Sequence, residues 1–386
     1  MAVYLDCAAT TPIEPRVRDE VLRYLDEDFG NAGSRSHTYG QRARRAVEWA
    51  RDRVAAVVDA QRGDVVFTSG ATESNNLAIL GLASYGLTTG RRHIVTTAIE
   101  HHAVLEPIAE LERRGFQVDH VQPDAGGAVD PAALLRLVRA DTLCVSVMHV
   151  NNETGVVQPI GDIATGLHGC DVIFHVDAAQ GFGKDIPALR NRRIDLTSVS
   201  GHKIHAPKGV GALIARKRSG VRPQLSALMY GGGQERGWRP GTLPVPLIAG
   251  LGKAAELAIR NHEDRTRRCA EFRAVLLDGL APLNPVVNGD PARAVPHIIN
   301  IAIPDVDAET AIEAWGDLVA VSHGAACTSQ SYTCSHVLGA MNVPIWRQDG
   351  ALRLSWCHLT DLPDLPAMVA AIERVRVATI DRGGRR

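Results

Sequence analysis

An α/β fold is what this sequence predicts: a large domain built on a mainly parallel sheet covered by helices, plus a smaller α+β domain. Three observations carry it. Short apolar runs alternate with amphipathic helical patterns through the first two thirds of the chain, the signature of strands joined by crossover helices. A long apolar pattern from Val245 to Ile259 closes that alternation, and beyond it helices and short strands mix irregularly. With 386 residues and 45% hydrophobic content, the chain can bury a large core and a second, smaller one. The expected division is 15–254 for the large domain, and 1–14 with 255–386 for the small one.

The strand candidates of the large domain are Asp64–Ser69, His93–Thr97, Leu143–His149, Val172–Val176, Ile194–Val199 and Gly209–Ala215. Between the first of these and the chain start, Gln41–Val58 carries Ala43, Ala46, Val47, Ala50, Val54, Val57 and Val58 at close to helical spacing. A helical pattern also covers Leu77–Leu82. Asp130 followed by Pro131 reads as an N-cap and first helical position, opening a helix through Ala140. Later helices are expected at Asp264–Leu280, Ala308–Trp315 and Leu365–Thr379, interleaved with strands at His297–Ile303 and Ala351–Trp356.

Composition narrows the function classes. Lys and Arg total 42 against 43 Asp and Glu, a net charge of -1, so no global field draws the chain to nucleic acid or an anionic membrane. The start shows no basic segment followed by an apolar core, and no apolar run is long enough to span a bilayer. A soluble cytoplasmic protein with no membrane partner is the expectation. Seven scattered cysteines without a CxxC pair argue against a disulfide framework and against a zinc site. Lysine is scarce: only Lys184, Lys203, Lys208, Lys217 and Lys253 occur, so chemistry that needs an amine has few candidates.

Lys203 sits in Ser198–Gly209, between two strand candidates, among small residues with Ser200 and His202 beside it. An amine there can reach an aldehyde while hydroxyl and imidazole donors hold a phosphate; the same composition also suits a surface turn. Lys217 lies in an Arg-Lys-Arg run, Lys253 in a helix, and Lys184 and Lys208 in glycine turns, which shifts the balance to Lys203. Asp177 follows an apolar strand, where open α/β sheets bind ligands. It either keeps a pyridine nitrogen protonated or caps the next turn. Gly70-Ala71-Thr72 opens a helix whose free amides and dipole favour a dianion, although such helix starts also occur without a ligand. His101 either stacks on a flat ring or caps a helix, and Asn151-Asn152 either reach a ligand or make a turn. Cys327 lies in a polar, small-residue loop, Val321–Ser335, a setting that suits a mobile nucleophile. Cys334 shares that loop, while Cys7 and Cys357 read as structural.

Taken in order, these segments resemble the cysteine desulfurases of the IscS/NifS family, within fold type I of the pyridoxal-phosphate (PLP) enzymes and the class V aminotransferases, with loop features similar to the DndA type. The strings that carry the resemblance are Tyr4–Pro12, Gly30-Asn31 with Ser36-His37, Thr68–Asn76, His149–Glu153, Asp177–Gln180, Ser200–Lys203, Arg239–Thr242 and Ser335–Leu338. The resemblance implies that Lys203 holds PLP as a Schiff base, Asp177 pairs with the pyridine nitrogen, and Gln180 contacts the ring hydroxyl. His101 is expected to stack on the ring and assist proton transfer. Ala71, Thr72, Ser200 and His202 are expected around the phosphate, with Asn152 near ring and substrate. Thr242 should reach the partner's site in a homodimer. Asn31, Asn152 and Arg353 match positions near the substrate carboxylate, and a guanidinium suits that role.

Cys327 matches the family's persulfide cysteine. The implied reaction converts L-cysteine to L-alanine and passes sulfur from Cys327 to an acceptor protein of iron–sulfur cluster assembly, tRNA thiolation or DNA phosphorothioation, with no direct nucleic-acid binding. An aminotransferase or selenocysteine lyase of the same fold would keep Lys203 and Asp177 without needing Cys327. A non-catalytic interaction protein would need none of the three. The chain departs from the family pattern at His323, Ala325, Cys334 and Trp356-Cys357-His358.

Overall fold

The structure, a computed structural model, describes residues 2–324 and 335–383. A short strand, β1 (Val3–Tyr4), comes first. Seven strands then form one sheet: β2 (Val65–Thr68), β3 (His93–Thr97), β4 (Gln117–Val121), β5 (Thr142–Met148), β6 (Ile173–Asp177), β7 (Leu196–Ser200) and β8 (Gly211–Ala215). Their order is β2-β8-β7-β6-β5-β3-β4, and only β8 runs against the others. Strands covered on both faces read as unbroken apolar runs, which is why most were legible. The edge strand β4 is half exposed and carries Gln117, Asp119 and His120, so no apolar run marked it.

Five more strands follow: β9 (Val286–Val287), β10 (Ile298–Ala302), β11 (Val319–Ala320), β12 (Ser322–His323) and β13 (Ala351–Ser355). Four make an antiparallel sheet in the order β12-β13-β10-β9, while β11 pairs in parallel with β1. One core lies against the large sheet and includes the inner faces of the helices Thr38–Val57 and Val245–Arg260. A side chain at Gly252 would meet the Cα of Ala50 at 2.5 Å, so these two helices touch backbone to backbone only because both residues are small. A second core gathers Leu5 from the chain start with Phe272, Leu276, Trp315, Leu354 and Trp356.

The strand β3 and the helix Ala308–Trp315 have the predicted limits, and the other predicted strands agree within two residues at each end. Asp130 caps its helix as expected, accepting from the amides of Ala132 and Ala133, but that helix stops at Arg136 rather than Ala140. The Arg139 amide is captured instead by Thr142 Oγ1, turning the chain into β5. The helix opened by Gly70-Ala71-Thr72 starts at Ala71, as expected, and ends at Leu80, two residues before the apolar pattern does. Cys170, shortly before β6, is exposed. Among the described residues, no helix is long and apolar enough to cross a membrane.

The edge strand β2 is fixed by a buried ion pair. Arg51 donates to both carboxylate oxygens of Glu235, at 2.6 and 2.8 Å, and to the Val65 carbonyl at 2.8 Å. Glu235 in turn accepts from the Phe67 amide at 2.7 Å. Removing only one member leaves an uncompensated buried charge. Glu235→Ala is therefore expected to lower stability by about 3–5 kcal/mol, and Arg51→Leu in the same chain to restore part of that loss, read from urea midpoints at constant slope.

Candidate active site

Strands β2, β5, β6 and β7 run in the same direction, so their carboxyl ends meet along one edge of the sheet, where α/β folds bind ligands. Strand β6 ends there in Asp177, which is buried. Its Oδ2 accepts from Asn75 Nδ2 at 2.7 Å, and its Oδ1 accepts from the Ala179 amide at 2.9 Å. Asp177 thus caps the turn, as one of its two readings had it, and is held as an oriented carboxylate. Asn75, in the helix Ala71–Leu80, is a positioning group that sequence reasoning passed over.

Lys203 follows β7 in a tight turn, Gly201–Lys203, formed where the Gly201 amide returns to the Val210 carbonyl. Its amine donates to the carbonyls of Ala8 and Ala9. The same stretch of chain takes Gln180: its Nε2 donates to the Ala8 carbonyl at 2.8 Å, leaving its buried Oε1 without a partner. Lys203, Gln180 and the Ala8–Ala9 backbone are therefore joined, and Gln180 follows Asp177 by one turn of chain.

The helix Ala71–Leu80 begins at Gly70, directly after β2. A Cβ built on Gly70 would meet Ser200 Oγ at 3.8 Å, which puts the Ala71-Thr72 amides and the Ser200 hydroxyl side by side. A side chain at Gly211 would lie 2.6 Å from the Gly70 Cα, so β8 must be bare there for this turn to fit. Thr72 is exposed and Ser200 buried. His202 bonds through Nδ1 to Thr10 Oγ1 at 3.1 Å, and burial, with Lys203 next to it, holds its pKa down at about 4. It is a neutral donor at neutral pH.

His101 takes one of its two expected roles, the helix cap. Nδ1 accepts from the Ala103 amide at 3.0 Å, capping the helix His102–Arg113, and the ring stays half-buried. Burial lowers its pKa, with Asp177 opposing and Lys203 assisting, so the imidazole is biased to the neutral form. Glu100 locks this corner. It accepts at one oxygen from Thr97 Oγ1 at 2.6 Å and from the Met148 amide at 2.8 Å, tying the ends of β3 and β5 together.

Asn152 is buried, and Asn151 makes the turn by accepting from the amides of Glu153 and Thr154, both at 3.0 Å. Arg353 is only 1% exposed; it donates to the Asn152 carbonyl at 3.1 Å and pairs with Asp6 at 2.8 Å, while its buried Nε has no partner. Asn31 is exposed, its side chain accepting from the Gly33 amide at 2.8 Å. Thr242 is exposed as well, in the segment that Arg239 ties to Glu73 in the first turn of the helix Ala71–Leu80 at 2.9 Å.

Cys327, Ala325 and Cys334 lie outside the described residues, but the chain on either side is well placed. Strand β12, just before, pairs Ser322 with Arg353. Just after, Ser335 Oγ donates to Glu153 at 2.5 Å, and His336 Nε2 bonds to the Glu100 carbonyl at 3.0 Å. Neither anchor was read from the sequence.

The fit to PLP rests on what this edge offers: a buried, oriented carboxylate, an amine beside it, a buried amide oxygen lacking a donor, and helix amides next to a hydroxyl. These features define a PLP enzyme of fold type I. The aminotransferase class-V family matches residues 3–367. The cysteine desulfurase IscS of Vibrio cholerae is 43% identical over 381 residues, covering 98% of this chain and 93% of that one. The IscS of Salmonella arizonae is 45% identical over 363 residues, 93% of this chain and 89% of that one. Among solved structures, DndA from Streptomyces lividans superposes with a TM-score of 0.80 at 49% identity, covering 92% of this chain and 99% of that one. A NifS-like protein superposes at 0.88 with 34% identity, covering 98% and 99%. The chain belongs to the class-V aminotransferase family, among its cysteine desulfurases.

Burial raises the Glu100 pKa to about 8, against the weaker pull of its hydrogen bonds to Thr97 and Met148. The folded state thus keeps a proton that the unfolded state releases near the ordinary value of 4.5. Stability from this group is complete below pH 4.5 and is lost as pH rises toward about 8. Urea unfolding across that window should show wild type losing up to about 1.4 kcal/mol per pH unit, and Glu100→Gln flattening the slope.

Proposed function

We propose that this chain removes sulfur from L-cysteine, releasing L-alanine, with Lys203 holding the cofactor and Cys327 receiving the sulfur as a persulfide. The observation that carries the reading is the attachment of the Cys327 segment: it departs beside Arg353 and returns onto Glu153 and Glu100, next to His101. A thiol on that segment is tethered at both ends to the edge where Asp177 and Lys203 lie.

PLP, when bound, supplies an electron sink for the pair left on the substrate α-carbon. Asp177, Gln180, His101 and Asn152 would hold its ring, and Ala71, Thr72, Ser200 and His202 its phosphate. Lys203 takes the α-proton of cysteine, helped by neutral His101, which carries the proton onward. Arg353 and the side chains of Asn31 and Asn152 orient the substrate carboxylate, the guanidinium by paired hydrogen bonds. The Cys327 thiolate attacks the substrate sulfur; the sulfur–carbon bond breaks and a sulfur–sulfur bond forms, and protons returned first to the β-carbon and then to the α-carbon complete alanine.

Residues 15–254 then serve as the cofactor-binding domain, and 1–14 with 255–386 as the domain bearing Cys327. The exposure of Thr242 supports a homodimer in which this residue reaches the partner's site. The enzyme acts in the cytoplasm, and its persulfide passes to an acceptor protein of iron–sulfur cluster assembly, tRNA thiolation or DNA phosphorothioation. Transfer of labelled sulfur to each candidate acceptor discriminates among these three.

Sulfide and alanine release from L-cysteine, with excess thiol reductant, tests the reaction. Wild type should release both in equal amounts, and Cys327→Ala should lose about 100-fold or more while keeping a yellow, cofactor-loaded protein. A Cys327→Ala protein as active as wild type would move the nucleophile elsewhere. A colourless and inactive wild type after loading with PLP would overturn the enzyme reading.

A further inference from the structure

Two residues beyond Lys203, the chain turns through His205 with a φ of 71°, a left-handed conformation that few side chains adopt. The Thr11 hydroxyl accepts from its amide at 2.9 Å, and its Nδ1 meets the Pro12 carbonyl at 3.0 Å. A carbonyl only accepts, so Nδ1 carries the proton and Nε2 presents a lone pair. This is the arrangement by which proteins orient a metal-ligating histidine. His358, at the exit of β13, packs edge-on against His205 with ring centroids 4.9 Å apart, and Cys357 precedes it. One ligand atom from each of His205, Cys357 and His358 lies within 4.8 Å of the other two.

The protonation states suit a metal. Burial holds both imidazoles far below their usual range, His358 at about 4, so they are neutral at pH 7. The thiol of Cys7 donates to Cys357 and favours its thiolate, while Cys7 itself is pushed up and keeps its proton. One thiolate and two neutral imidazoles are the forms a transition metal requires.

A second observation points to an occupant. The three side chains line a cavity of about 40 Å³, larger than a single water needs. Lys184 Nζ and His297 Nε2 border the same cavity, are shut off from solvent, and have no hydrogen-bond partner. Burial lowers the Lys184 pKa, with the Cys7 and Cys357 sulfurs opposing. Buried polar atoms of this kind are normally satisfied by something the cavity holds. A metal-bound water would serve both.

We propose that His205, Cys357 and His358 bind a zinc ion, with water or a small anion in the fourth position beside Lys184 and His297. Three protein ligands and one exchangeable ligand form a common tetrahedral zinc arrangement. Binding takes any remaining proton from Cys357 and releases it to solvent. The ion links the Lys203 turn to the exit of β13. This assignment goes beyond the desulfurase reading, and its readout is metal content rather than activity.

The test uses full-length, cofactor-loaded protein given zinc and then freed of loosely held metal. Elemental analysis should find about one zinc per chain, and X-ray absorption should show one sulfur near ~2.3 Å with nitrogen or oxygen neighbours near ~2.0–2.1 Å. Cys357→Ser and, independently, the half-buried His358→Gln should each lose it at least tenfold, while Cys170→Ser and Cys327→Ala retain it. If one variant fails to fold, the other and the wild-type absorption spectrum still decide. No retained zinc in wild type, retention in either ligand variant, or a shell of more than one sulfur would overturn the site.

Discussion

Lys203 donates to the carbonyls of Ala8 and Ala9, and those carbonyls belong to a segment pinned on its other side to β13 and β11. The Cys7 amide reaches the Ser355 carbonyl at 3.0 Å, the Ala8 amide reaches Ser355 Oγ at 2.8 Å, and the Leu5 amide reaches the Ala320 carbonyl at 2.9 Å. Further along, the Thr11 amide and hydroxyl both donate to the His202 carbonyl at 2.9 Å. Residues 5–12 thus form a strap whose start lies in the second core and whose end lies on the lysine turn. Backbone hydrogen bonds in a buried setting are costly to leave unmade, so the two regions are held in one register. The small residues Ala8 and Ala9 let the amine approach the main chain closely.

Around that strap, burial sets the charge states. Glu100 is pushed to about 8 and Glu153 to about 7, in each case chiefly by desolvation. The same effect holds His175, under the sheet between Ser146 and Ser198, down at about 4. A largely protonated Glu100, a partly protonated Glu153 and neutral imidazoles surround the edge where Asp177 and Lys203 are to act. Fixed, mostly uncharged dipoles of this sort orient a charged cofactor without competing for it.

Much of this was legible in the sequence, for identifiable reasons. Strands such as His93–Thr97 are buried on both faces, and a β-branched apolar run announces that state. Lys203, Asp177 and Cys327 stood out because each is a chemistry-bearing residue at a strand end or in a small-residue loop. What was hidden depends on distant partners. Strands β1, β11 and β12 are two residues long and carry no periodicity. The support that Asn75 gives Asp177 and the grip of Ser335 on Glu153 cross long stretches of chain. His205, Cys357 and His358 show no CxxC-type spacing, so a search along the chain argues against a zinc site, whereas the fold gathers the three.

The central claim is that this fold presents Lys203, of five lysines, to the cofactor. Borohydride reduction of the PLP-loaded protein, followed by digestion and peptide mass spectrometry, locates the lysine to which the cofactor is attached. The account predicts the label on the peptide containing Lys203 and its loss in Lys203→Ala. A label on Lys184 or Lys208, or an unlabelled Lys203 in protein that remains active, would contradict it.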